Sequence, residues 1–134
     1  MSVVVPEESS SKLRAGMKFP RSVRLLRHAD FERVYQHGRR HFSAHMTVFY
    51  MRRDSGEGPR IGFTVSRALG GAVDRNCMKR RLREAVRLLI PKPFVAVDVV
   101  INPKRSLLTA DFEGILEEVT HAFRVIGQHV ARTT

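Results

Sequence analysis

The sequence contains one cysteine, no tryptophan and few aromatic residues of any kind (7%). The single Cys77 excludes an internal disulfide and any multi-cysteine metal site. No apolar run approaches the roughly 18–20 residues that a transmembrane helix needs. The first 20 residues also lack the apolar centre of a secretory signal. We therefore expect a cytoplasmic protein without a membrane partner.

Acidic residues are scarce beside basic ones. The chain of 134 residues has 24 Lys and Arg against 13 Asp and Glu, which gives a formal net charge of +11. Residues 61–92 contain eight basic and two acidic residues, whereas residues 93–134 contain four and five. A basic surplus of this size is typical of proteins that bind polyanions, of which nucleic acid is the commonest. We expect the polyanion-binding surface to come from residues 21–92.

Chain length and patterning predict one α+β domain at residues 21–134, with a small sheet packed against helices. Residues 1–20 hold a serine run, two prolines and no amphipathic period, and we predict a flexible tail there.

The predicted elements follow the order helix, strand, strand, helix, strand, helix. Helices are predicted at residues 28–37, 75–90 and 109–126, and strands at residues 42–52, 60–66 and 94–101. Two alternatives stay open for the first of these strands, which is either interrupted or joined by another short strand. Gly38 is expected to end the first helix and Thr109 to cap the last one. The turn-rich residues 54–59 are predicted to form a hairpin loop.

The predicted helix beginning at Arg75 separates its residues into two faces. At about 100° per residue, one face is apolar and docks on the sheet, while Arg81 lies off the opposite, basic face. Glu84 is the only acidic residue available within that run, so we expect the basic face to bind phosphates. The basic face carries Arg75, Asn76, Lys79, Arg80, Arg83 and Arg87.

Three runs around this helix resemble the signature of the bacterial ribonuclease P protein subunit. They are Gly62–Arg67, Gly70–Asn76 and Lys79–Glu84, and the upstream residues 30–38 are similar to the first helix of that family. The resemblance covers about residues 21–126. Cys77 stands where the family usually has Arg, so we expect a modest loss of RNA affinity.

The resemblance implies an α+β sandwich with a left-handed βαβ crossover, which spacing alone does not predict. It also implies an accessory subunit of an endoribonuclease, whose catalytic groups reside in a large RNA. That RNA, with Mg²⁺, removes the 5′ leader of precursor transfer RNA. The protein alone is expected to bind no cofactor or metal and no DNA.

Carried over by position, the resemblance assigns contacts with the catalytic RNA to Arg67, Arg75, Asn76, Lys79, Arg80, Arg83 and Arg87. It assigns the 5′ leader to a cleft between the first helix and the sheet. Phe31 and Tyr35 on that helix are candidates, because exposed aromatic faces stack bases, although one apolar stripe also fits a core role. Of Phe49 and Tyr50, only one can face the cleft, because successive side chains alternate along a strand.

Other functions have weaker support in the sequence. His37, His41 and His45 recur every four residues, but Gly38 breaks the helix that would bring them to one zinc ion. We therefore expect His41 and His45 on a solvated or RNA-facing surface.

A protein nuclease would need a cluster of carboxylates, and the aspartates are scattered. A general RNA-binding or ribosomal protein predicts the same charge. A helix-turn-helix DNA-binding protein does not fit strands on both sides of the basic helix.

Overall fold

Four strands form one mixed sheet in a computed structural model, which describes residues 27–54, 58–89 and 96–132. In spatial order the strands are β1 (Arg39–Phe42), β2 (Met46–Arg52), β4 (Val97–Pro103) and β3 (Pro59–Phe63). β1, β2 and β4 pair antiparallel, whereas β3 and β4 are parallel. β4 is buried along most of its length and therefore belongs in the interior of the sheet.

Three helices cover the two faces of this sheet. They are α1 (His28–His37), α2 (Ala72–Arg87) and α3 (Phe112–Arg132), with short 3₁₀ turns at Arg67–Leu69 and Arg105–Leu108. α2 makes the crossover between the parallel strands β3 and β4. The predicted α+β class is confirmed. No helix of the described residues is long and apolar enough to cross a bilayer.

The alternation of side chains along the strands divides the core into two parts. Val48, Val99 and Ile61 point to one face, where they join the apolar sides of α2 and α3 in the main core. Val100 points to the other face and packs against Val34 of α1. The sheet therefore separates α1 from α2 and α3, which creates two distinct surfaces.

α1 has the predicted bounds, and Gly38 ends it. The Gly38 N–H donates to the carbonyl of Val34 at 2.8 Å. Its backbone is extended, with φ −87°, so a left-handed conformation is not the reason for glycine. A Cβ at Gly38 would instead lie 2.5 Å from the carbonyl oxygens of Val34 and Tyr50. Glycine is required because the chain passes this close to the sheet.

α2 shows the predicted separation of faces. Its apolar residues Met78, Leu82, Ala85 and Val86 are buried. Arg81 lies off the basic face, as predicted. Its guanidinium donates to the carbonyls of Leu107 and Leu108 at 3.0 and 2.9 Å and also to that of Ala110, so it fastens α2 to the connection before α3.

Four expectations about the strands were incomplete or wrong. Residues 42–52 do not form one strand, because a turn with the Ser43 N–H bonded to the Met46 carbonyl at 2.9 Å separates β1 from β2. Residues 54–59 do not close a hairpin, since β2 and β3 each pair with β4 rather than with one another. The predicted strand at residues 60–66 ends at Phe63, and the predicted strand at residues 94–101 is β4, which runs to Pro103.

The two long helices have different bounds from those predicted. α2 begins at Ala72, three residues before Arg75, and Ile90 lies outside the described residues. Thr109 is not the N-cap of α3, because it follows the 3₁₀ turn and α3 begins at Phe112. The tail predicted at residues 1–20 also lies outside the described residues.

Candidate nucleic-acid interface

The outer face of α2 presents most of the predicted basic residues to solvent. Asn76 and Arg80 are exposed, while Arg75, Lys79 and Arg83 are half-buried along the same helix. Within residues 27–54, 58–89 and 96–132, no carboxylate pairs with Lys79 or Arg80. These cations lie apart from acidic residues, so they repel one another unless a polyanion is bound.

The two ends of the basic face differ. At its start, the Arg75 Nε donates to the Gly70 carbonyl at 3.1 Å, and this bond fixes the side chain against the loop before α2. Gly70 has φ 144°, a conformation that favours glycine. At its end, Arg87 pairs with Glu84 and is 15% exposed, so it is less available to RNA than the exposed Arg67, Asn76 and Arg80.

Two further cations extend this basic face beyond α2. Arg67, predicted from the sequence, is exposed in the 3₁₀ turn that precedes α2. Arg105 is exposed after β4 and donates to the carbonyl of Leu69 in that turn, whereas the neighbouring Lys104 donates to the carbonyl of Ser43 between β1 and β2. Sequence reasoning missed Arg105, because it lies in the mildly acidic last third of the chain. Its position just after the end of a strand parallel to β3 is the signal that could have found it.

The opposite face of the sheet carries an aromatic cleft beside α1. Tyr35 is 38% exposed, and its ring meets that of Phe49 edge to face, with centroids 4.9 Å apart. The Tyr35 hydroxyl reaches Thr64 at the end of β3 and Asn102 on β4. Tyr35 and Phe49 are therefore brought together, as the cleft prediction requires.

Burial decides between Phe49 and Tyr50. Phe31 and Phe49 are both half-buried and pack against the small core of Val34 and Val100, so the assignment of Phe31 to the cleft stays a prediction. Tyr50 is 4% exposed on the other face of the sheet, where its hydroxyl lies 2.9 Å from His129 Nδ1. Burial raises the pKa of Tyr50, although the charge of Arg39 opposes this shift.

β1 adds two residues to the cleft that sequence reasoning missed. Phe42 is 66% exposed, which makes it the most exposed aromatic side chain of the described residues. The Arg40 guanidinium lies 5.9 Å from the centroid of Phe42 and 6.0 Å from that of Phe49. A cation between two aromatic rings is an arrangement that binds single-stranded nucleic acid. Alternation along β1 could have found both, had β1 been recognised as a separate strand.

A buried ionic network holds α1 over the sheet at the other end of the cleft. Asp98 is fully buried on β4 and accepts two hydrogen bonds from Arg60 and one from Arg53. Asp30 of α1 pairs with Arg60 at 3.3 Å and with Arg33 at 3.2 Å. The hydrogen bond to Asp98 raises the pKa of Arg60, and Arg60 therefore links the helix to the sheet as a permanent cation.

His41 and His45 do not lie on the basic surface. His45 binds Glu118 of α3 through its backbone N–H and its ring. The His41 ring lies 5.4 Å from that of His121, and its Nε2 is buried without a hydrogen-bond partner in the described structure. Both side chains face α3, which corrects the expected solvated or RNA-facing position.

These features define a small basic α+β protein with a cationic helix on one side of its sheet and an aromatic cleft on the other. The family model for ribonuclease P matches residues 19–127. The chain belongs to the ribonuclease P protein family. Members of this family are protein components of ribonuclease P, a tRNA-processing ribonucleoprotein with endoribonuclease activity.

Similar proteins span nearly the same length. The ribonuclease P protein component of Carboxydothermus hydrogenoformans is 31% identical over 107 residues, which are 79% of this chain and 92% of that protein. The protein of the same name from Chloroflexus aurantiacus is 40% identical over 107 residues, covering 78% and 77%. The structure of the Staphylococcus aureus RNase P protein superposes with a TM-score of 0.69 at 25% identity, covering 78% and 94%. The resemblance noted in the sequence is therefore confirmed.

Proposed function

We propose that this chain binds the catalytic RNA of ribonuclease P and the 5′ leader of precursor transfer RNA in the cytoplasm. In this proposal the protein assists the Mg²⁺-dependent cleavage that produces the mature 5′ end, and the reacting groups belong to the RNA. The observation that carries the proposal is the separation of two surfaces by one sheet, with the basic face of α2 on one side and the aromatic cleft on the other.

The basic face suits a folded RNA. It is rigid, because α2 is anchored by a buried apolar side and by Arg81. Arg75 and Arg80 offer planar forks that match phosphate oxygens, and Asn76 adds a neutral group for phosphates or ribose hydroxyls. Phosphate contacts of this kind give affinity that depends steeply on salt concentration.

The cleft suits a single strand. Tyr35, Phe42 and Phe49 expose ring surfaces on which unpaired bases stack, and Arg40 supplies a charge for the backbone. The cleft lies beside Thr64, and the chain runs from there through Arg67 into α2. A precursor whose leader lies in the cleft would therefore be held next to the catalytic RNA.

Mg²⁺ belongs to the RNA-containing holoenzyme in this proposal. No three His, Cys, Asp or Glu side chains in the described ranges are grouped so that they could hold a metal ion. These residues therefore do not fit a resident metal centre, and we assign them no step that requires one.

A reconstitution tests the proposal. Purified protein is mixed with its cognate catalytic RNA at low Mg²⁺, and cleavage and binding are measured for precursors with and without a leader. We expect the protein to increase cleavage and to tighten binding only of the leader-bearing precursor. Unchanged cleavage and affinity would contradict the proposal, as would cleavage by the protein freed of RNA.

A further inference from the structure

The floor of the cleft contains a hydrogen-bonded group of three polar side chains. The Tyr35 hydroxyl lies 3.0 Å from Thr64 Oγ1 and 3.1 Å from Asn102 Oδ1. The three residues come from α1, from the residue after β3 and from β4, so the group forms only in the folded protein. It lies at the hydroxyl end of Tyr35, a residue that is 38% exposed.

The bond from Tyr35 fixes the orientation of the Asn102 amide. A phenol has one proton, and when Tyr35 donates it to Asn102 Oδ1, the Thr64 hydroxyl can donate to the Tyr35 oxygen. The carbonyl end of the amide is then held by the protein. The opposite end, Nδ2, carries two N–H donors.

Those two donors are available to a ligand. Within residues 27–54, 58–89 and 96–132, Asn102 Nδ2 has no hydrogen-bond partner. The buried, unpartnered side-chain atoms of the same ranges are Asp30 Oδ2 and His41 Nε2, and Asn102 Nδ2 is not one of them. Since Asn102 is half-buried, its Nδ2 keeps contact with solvent at the cleft. The cleft floor therefore presents a donor that is oriented and unoccupied.

We propose that Asn102 reads the identity of the leader base that stacks on Tyr35. This assignment rests on the proposed leader-binding function. A base stacked on the Tyr35 ring places one edge beside the hydroxyl, where Asn102 lies. At the exocyclic position of the base, guanine and uracil carry a keto oxygen, whereas adenine and cytosine carry an amino group. Asn102 Nδ2 offers only donors, so at that position it favours the keto oxygen over the amino group.

The test measures affinity for a panel of precursors that carry each of the four bases at each leader position in turn. With the reconstituted holoenzyme, we expect guanine and uracil to bind about three- to tenfold more tightly than adenine and cytosine at one position, the range of one hydrogen bond. Asn102→Asp replaces the donors with acceptors and should invert that order. Asn102→Ala should make the four bases equivalent at that position.

Two controls separate base reading from other effects. Asn76→Asp makes the same chemical change on α2 and should shift affinity for all four bases equally. Tyr35→Phe keeps the aromatic ring but removes the hydroxyl that orients Asn102, and it should reduce the base preference. Thermal unfolding of each variant verifies that it is folded at the temperature of the binding measurement.

The possible results are distinct. Three results would each overturn the assignment of Asn102. They are leader-dependent affinity without base preference in the native protein, a preference for amino bases, and an unchanged order of the bases in Asn102→Asp. Absence of any leader-dependent affinity would overturn the proposed function, and the assignment with it.

Discussion

The Arg60 guanidinium donates two hydrogen bonds to the buried Asp98 carboxylate, with Nε to Oδ1 and Nη2 to Oδ2 both 2.9 Å. Asp98 is fully buried, whereas the Arg60 side chain is 31% exposed. The same guanidinium also reaches Asp30 on α1. One arginine therefore neutralises a carboxylate in the sheet and fastens the helix that forms one wall of the cleft.

Arg60→Met should destabilise the protein by about 3 kcal/mol, because it leaves a buried carboxylate short of its main partner. Arg33→Met is the matched control. Arg33 is 45% exposed, lies 4.0 Å from Asp98 and pairs with Asp30 at 3.2 Å. Asp30 keeps its pair with Arg60 in this variant, so the loss of Arg33 should cost less than about 1 kcal/mol. Urea unfolding followed by circular dichroism compares the two variants. Equal losses of stability would show that the bidentate geometry has no particular importance.

Arg75→Ala and Lys79→Ala should each weaken binding to the catalytic RNA and lower the slope of log affinity against log salt by about one, the expectation for one lost phosphate contact. Arg124→Ala on α3 removes a charge of the same sign from an exposed position outside the basic face. The control variant should leave the slope nearly unchanged. Filter binding at several salt concentrations measures these slopes, and three identical slopes would contradict the assignment of the RNA-binding face to α2.

Tyr35→Ala should reduce the affinity gained from the leader by about 1–3 kcal/mol, the value of stacking one base. The effect should disappear with a leaderless precursor. Phe42→Ala should act in the same direction with little loss of stability, because Phe42 is largely exposed. A loss of affinity that is equal for both precursors would show that the cleft does not bind the leader.

Local patterns predicted the elements whose residues are close in sequence. The spacing of Phe31, Val34 and Tyr35 with Gly38 gave α1 its observed bounds. In α2, the 3.6-residue period separated the buried side from the basic side, and it placed Arg81 correctly off the basic face. Such predictions succeed because an amphipathic helix is encoded within a few consecutive turns.

Pairing between distant strands was not predictable in the same way. Nothing near residues 54–59 shows that β4, about 40 residues later, inserts between β2 and β3. The cleft residues Arg40 and Phe42 were missed for the same reason, since their position depends on β1 pairing with β2. Thr109 resembled an N-cap, but the preceding residues form a 3₁₀ turn that delays α3 until Phe112.

The stability of the protein should fall as the pH drops below about 6.5, and His41 should contribute to the fall. Burial lowers the pKa of His41 from 6.5, and the neighbouring His121 lowers it further. Below that pH the unfolded chain binds a proton at this residue more readily than the folded protein does. Protonation therefore favours the unfolded state, and the contribution of His41 is complete only above pH 6.5.

Urea unfolding at pH 7.5, 6.5 and 5.5 measures this dependence. His41→Gln should lose less stability between pH 7.5 and 5.5 than the native protein, and His121→Gln should also reduce the loss because it removes one of the two causes. His28→Gln is the control, since His28 is 86% exposed on α1 and pairs with Glu32. The His45–Glu118 pair, which also joins the residue before β2 to α3, is retained in all of these variants. If His41→Gln and His28→Gln show the same pH dependence, the buried imidazole of His41 is not the group that couples folding to protons.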